Sequence, residues 1–147
     1  MTEVKPCCHF DEQEIRRVLP HTPPFLQVER IIAMEPGRRG VGLKNITDND
    51  CFLLRYGGEK AIMPAGLIIE MMAQVGGFVM LRDSPGKILF LTGVRRARFR
   101  RKVVPGDTLV VEVTLTRIRK VVGHARGIAT VNGQVVCEAN LSFAFSP

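Results

Sequence analysis

Residues 65–81 read AGLIIEMMAQVGGFVML, an apolar run directly after Pro64 in which the only charge is Glu70 and the only side-chain amide is Gln74. The absence of an internal proline predicts one long helix, and a proline just ahead suits a helix start, where no backbone donor is needed. A helix that is apolar almost all round must be covered on most of its sides. A carboxylate at its centre is costly in lipid, so the segment is expected to be buried in protein rather than to span a membrane. The other residues of the chain must therefore wrap this element.

The sequence supplies such a wrapping. DEQEIRRVL (11–19) predicts a short helix capped by Asp11, with Glu14 three residues on, and Pro20, Pro23 and Pro24 then interrupt regular structure. FLQVERIIAM (25–34) and VGLKNI (41–46) read as strands joined by a turn at 35–40, and a long loop runs from TDND to Pro64. After 84–86 the pattern switches to period two: ILFLTGV (88–94), ARFRRKV (97–103), TLVVEVTLTRI (108–118), HARGIATV (124–131) and QVVCEANLSFAF (134–145) predict strands. Turns are expected at 105–107, at Gly123 and at Asn132-Gly133, the last being the strongest hairpin signal. The expected fold class is α+β, a mostly antiparallel sheet of roughly five to seven strands curved around one long hydrophobic helix. A chain of 147 residues suits a single domain over 1–147, with 1–10 a loose N-terminal segment.

Composition excludes several classes. With 46% hydrophobic and 24% charged residues the chain is globular rather than disordered. A formal net charge of +7 suggests an acidic partner: nucleic acid, an anionic membrane or an acidic carrier protein. Aromatics are only 6% and Trp is absent, which poorly supplies a base-stacking platform, so nucleic acid is not expected. Cys7, Cys8, Cys51 and Cys137 show neither CxxC nor zinc-site spacing, and Cys7-Cys8-His9 reads as part of the loose segment. No metal and no cofactor are expected. No secretory pattern is visible, which makes a reduced, cytoplasmic protein the expectation.

On the long helix, Gly66, Glu70, Ala73, Gln74 and Gly77 share one face, and Ile68, Met71, Met72, Val75 and Val79 lie opposite. Small neighbours leave open volume over the carboxylate. Burial there is expected to raise its pKa toward neutrality, as a general acid or base requires. The pattern fits equally well a core Glu tied to Gln74 or to a backbone group. At the helix start, the amides of Ala65 and Gly66 lie at the positive end of the dipole, one turn from Glu70, where they can polarise a carbonyl oxygen.

Four stretches, LPHTPPFLQVERI (19–31), IMPAGLIIEMMAQ (62–74), FLTGVRRARFRRKVVPGD (90–107) and ATVNGQVVCEA (129–139), resemble in order and spacing the FabZ family of (3R)-hydroxyacyl-acyl-carrier-protein dehydratases. The resemblance runs from residue 11 to residue 145. It implies the hotdog fold, dimers that often assemble as trimers of dimers, and acyl tunnels at the dimer interface. It also implies an acyl thioester substrate delivered on the phosphopantetheine arm of an acidic acyl carrier protein. Family members pair a loop histidine with a helix glutamate from the opposite subunit. The glutamate corresponds to Glu70 and the carbonyl-binding amide to that of Ala65, where the family usually has glycine; Gly66 and Gln74, on the Glu70 face of the helix, are expected to bind substrate beside them.

The histidine has no counterpart: counting back from Ile62 places Tyr56 there, followed by Gly57 and Gly58 in place of Phe and Pro. A tyrosine at neutral pH donates a proton but hardly accepts one. Glu70 and Tyr56 are thus the expected catalytic residues, and weak dehydration of straight-chain substrates is expected. His21 holds a position that is also His in the family, away from its catalytic pair, and His124 reads as an exposed strand residue. Arg95, Arg96, Arg98, Arg100, Arg101 and Lys102 bracket Phe99 and are the expected carrier-binding residues. Alternation would send Arg98, Arg100 and Lys102 to one face and Phe99 to the other.

Three readings result. The first is a dehydratase-family enzyme with a non-standard acid/base set. The second is a catalytically silent acyl-binding or structural subunit, pairing with itself or with an active paralogue in a mixed oligomer. The third is a thioesterase in which Glu70 activates water.

Overall fold

The computed structural model describes residues 9–55, 61–84 and 86–146. Helix α1 (Glu12–Val18) starts at Asp11, whose carboxylate accepts the Glu14 N–H at 2.9 Å, the cap that its spacing predicts. Strands β1 (Arg30–Glu35) and β2 (Arg39–Asn45) precede the long helix α2 (Ala65–Leu81). Four strands follow: β3 (Leu89–Phe99), β4 (Thr108–Arg119), β5 (Val122–Val131) and β6 (Gln134–Phe145). They form one six-stranded sheet in the order β1-β2-β4-β5-β6-β3, antiparallel throughout.

Helix α2 lies against the sheet with Met72, Val75 and Val79 facing it, and Phe78 packs on Phe10 with ring centroids 5.0 Å apart. Close approach is possible because glycines face it. A Cβ on Gly42 would stand 2.6 Å from Val75 Cγ2, and one on Gly127 would stand 2.6 Å from Met72 Sδ. Among the described residues no helix is long and apolar enough to cross a membrane.

Three boundaries differ from the sequence expectation. The strand expected from residue 25 begins only at Arg30. Ahead of it, the Phe25 and Leu26 amides turn back to Thr22 O, and the Gln27 amide is taken by the Gln74 side chain. The two strands expected over 88–103 are one, β3, bent by irregularities after Leu91 and after Arg95, where Arg96 has φ 53°. It ends at Phe99, so the alternation expected to sort Arg98, Arg100 and Lys102 from Phe99 does not run its length. The turn expected at Gly123 lies earlier, at Lys120 and Val121. Gly123 belongs to β5, where a Cβ would press on Met80 Sδ at 3.2 Å. The Asn132-Gly133 hairpin forms as expected, both residues having positive φ.

Candidate active site

Glu70 stands midway along α2 where the helix passes under the segment that follows α1. Its side chain is 31% exposed, as is 32% of the His21 side chain, and His21 Nε2 lies 3.3 Å from Glu70 Oε1. The same oxygen accepts from Gln74 Nε2 at 3.1 Å. Gln74 is fully buried. Its Nε2 also donates to Phe25 O and its Oε1 accepts from the Gln27 amide, each at 2.7 Å. One amide therefore ties the 25–27 backbone to the helix and orients the carboxylate. These contacts answer the backbone groups that the missing strand leaves without a ladder.

The electrostatics reverse an expectation. The His21 hydrogen bond pulls the Glu70 pKa below its ordinary value; partial burial pushes it up, and Gln74 pulls it down again. Two donors aimed at one carboxylate favour the charged form more than half-burial disfavours it. Glu70 is accordingly an ionised group rather than one raised toward neutrality.

Glu70 and His21 open onto a cavity of about 510 Å³ whose walls combine the apolar Ala73, Leu89, Phe90 and Leu91 with the basic Arg16, Arg17 and Lys87. Its size and the apolar part of its wall suit a small acyl chain. A second cavity, about 470 Å³, lies at the N-terminus of α2. Ala65, Ile68, Phe99, Arg100, Arg101 and Lys102 line it, as do Leu54 and Ile62. Leu54 and Ile62 face each other in an isolated antiparallel bridge.

The expected site residues are thus divided. Glu70 and Ala65 share a helix but line different cavities, joined along the sheet edge by β3, which contributes Leu89, Phe90 and Leu91 to one and Phe99 to the other. Gly66 is exposed, with open space where a Cβ would be. Gln74 reaches Glu70 but not a cavity, so it positions the carboxylate and is not a surface for substrate. Tyr56, with Gly57 and Gly58, lies outside the described residues. Of the basic residues, all exposed, Arg100 pairs with Glu138 at 2.8 Å and Arg101 with Asp107 at 3.1 Å. Among the described residues Arg95, Arg96, Arg98 and Lys102 enter no ion pair.

His21 is the residue that sequence reasoning placed away from the chemistry. Its contact with Glu70 joins two distant stretches of chain, which spacing along the helix does not encode. The one available signal was its place in LPH, inside a stretch of the resemblance. His124 is an exposed strand residue as expected, its Nδ1 3.3 Å from Ser142 Oγ.

Comparison with known proteins matches residues 19–140 to the FabA-like domain family. The chain is 46% identical over 134 residues to the 3-hydroxyacyl-[acyl-carrier-protein] dehydratase FabZ of Exiguobacterium sibiricum, covering 90% of this chain and 96% of that one. It is 43% identical over 137 residues to the FabZ of Anoxybacillus flavithermus, covering 92% and 96%. Among solved structures, the dehydratase heterocomplex ApeI:P of Xenorhabdus doucetiae superposes with a TM-score of 0.78 at 22% identity, over 90% of this chain and 91% of that one. A Streptococcus mutans protein bound to acetyl-CoA superposes with a TM-score of 0.67 at 18% identity, over 87% and 95%. The last two likenesses carry the fold, a six-stranded antiparallel sheet laid on one long helix in the hotdog manner. With most of its length matched at these identities, the chain belongs to the FabZ-type 3-hydroxyacyl-[acyl-carrier-protein] dehydratase family of hotdog proteins.

Proposed function

We propose that the protein removes water from 3-hydroxyacyl thioesters carried by an acidic acyl carrier protein, in the cytoplasm, during acyl-chain synthesis. The observation that carries this reading is Glu70: the one acid of a buried apolar helix, partly exposed to a cavity with an apolar wall and held by two donors. The chemistry is proton transfer at C2 and at the C3 hydroxyl and calls for no cofactor. The amides of Ala65 and Gly66 supply the polarising end for the thioester carbonyl.

A dimer completes the site. Strand β3 is a sheet edge eleven residues long, with Phe90 55%, Val94 41% and Phe99 48% exposed. An edge of this length and apolarity calls for a cover. Two copies paired antiparallel about Val94, the middle residue of β3, set the Phe99 end of one against the Leu89 end of the other. The cavity at one Ala65 then continues into the cavity at the partner's Glu70. Arg95, Arg96, Arg98 and Lys102, with Arg100 and Arg101, offer the carrier a positive approach to that entrance.

The test is Glu70→Gln, which keeps the shape and loses the titrating group. Dehydration of a 3-hydroxyacyl thioester should fall by about 10²–10⁴ with the fold intact. Full activity in this variant removes Glu70 from the chemistry and the reading with it.

A further inference from the structure

Dehydration moves two protons, and the proposed reading needs a partner for Glu70. Of the described histidines only His21 shares a cavity with Glu70; His9 and His124 are exposed elsewhere. His21 Nδ1 is buried without a hydrogen-bond partner, so Nε2 is the ring nitrogen turned to Glu70. Oε1 of Glu70 is occupied by His21 and Gln74, whereas Oε2 meets no donor among the described residues. With Oε1 facing Gln74 Nε2 and His21 Nε2, Oε2 is the oxygen left open to take a proton from a substrate. The nearest group able to give one is the Nε2–H.

Resting on the dehydratase reading, we propose that His21 is the acid and Glu70 the base of this active site, a catalytic dyad within one subunit that takes over the work of the absent loop histidine. Glu70 takes the C2 proton. The electron pair of that C–H bond forms the C2=C3 double bond, and the C3–O bond breaks with its pair on oxygen. The departing oxygen takes the proton that His21 holds on Nε2 and leaves as water. The proton on Glu70 then returns to Nε2 across the 3.3 Å contact, and both groups are restored. Because acid and base stand side by side, proton and hydroxyl leave from one face of the substrate.

The test compares 3-hydroxybutyryl and 3-fluorobutyryl pantetheine thioesters on the full chain, since fluoride departs without a proton donor. His21→Asn should lower dehydration of the hydroxy substrate by about 10²–10⁴ while fluoride elimination stays within about tenfold of wild type. Glu70→Gln should lose both reactions. His21→Gln serves as the second variant, with circular dichroism to show that each is folded. The proposal is overturned if folded His21 variants keep the hydroxy reaction, or lose both reactions alike. It is equally overturned if Tyr56→Phe alone shows the selective loss, or if wild type eliminates only fluoride. A wild type inert toward both substrates instead brings down the dehydratase reading itself.

Discussion

The glutamine one turn beyond Glu70 decides how well that carboxylate is placed. Gln74 makes three hydrogen bonds from a fully buried position. Gln74→Leu keeps the volume and strips all three partners. Leaving the Gln27 amide and the Phe25 carbonyl unanswered should cost about 1–3 kcal/mol, read by denaturant unfolding. Release of Glu70 by ~1 Å should in addition cost about 10² in kcat. A variant as stable and active as wild type would show that the network is ornamental. At this scale the sequence was partly legible. Glu70 stands out because a lone acid in an apolar helix is conspicuous, and a tie to Gln74 follows from their spacing of four. What burial alone suggested, a raised carboxyl pKa, failed because the second donor comes from His21, whose contact exists only once the segment after α1 folds back onto α2.

At the scale of elements, α2 was legible from end to end. Proline ahead of it and the unbroken apolar run behind mark Ala65–Leu81 without ambiguity. The hairpin at Asn132 was equally plain, because few residue pairs accept two positive φ values. Strand β3 was less so. Its bend near Arg96 broke the period-two pattern, and the break resembled a turn between two strands. The same strand carries the proposed dimer contact. Val94→Arg would place two guanidinium groups at the two-fold axis. It should shift the protein toward monomer in sedimentation and lower turnover by at least about tenfold, as the cavity of one copy is parted from that of the other. A Val94→Arg protein that remains dimeric would place the interface elsewhere.

At the scale of the whole molecule, the surplus of positive charge has a direction. The exposed run from Arg95 to Lys102 borders the cavity at the start of α2, so an acidic carrier would be drawn to the entrance rather than to a random face. Binding of acyl carrier protein should weaken steeply between low and high salt, since exposed charges are screened over ~10 Å at 0.1 M. Salt-independent binding in a titration would assign these residues to solubility alone. The pairing of Arg100 with Glu138 and Arg101 with Asp107 was not legible, because it depends on register across β6 and on the 105–107 turn. The most direct measurement follows one purified preparation on a 3-hydroxyacyl thioester by two signals at once, enoyl absorbance and free thiol. Enoyl absorbance should rise while no thiol appears; thiol release without enoyl formation, or neither signal with the thioester bound, would rule out dehydration at Glu70.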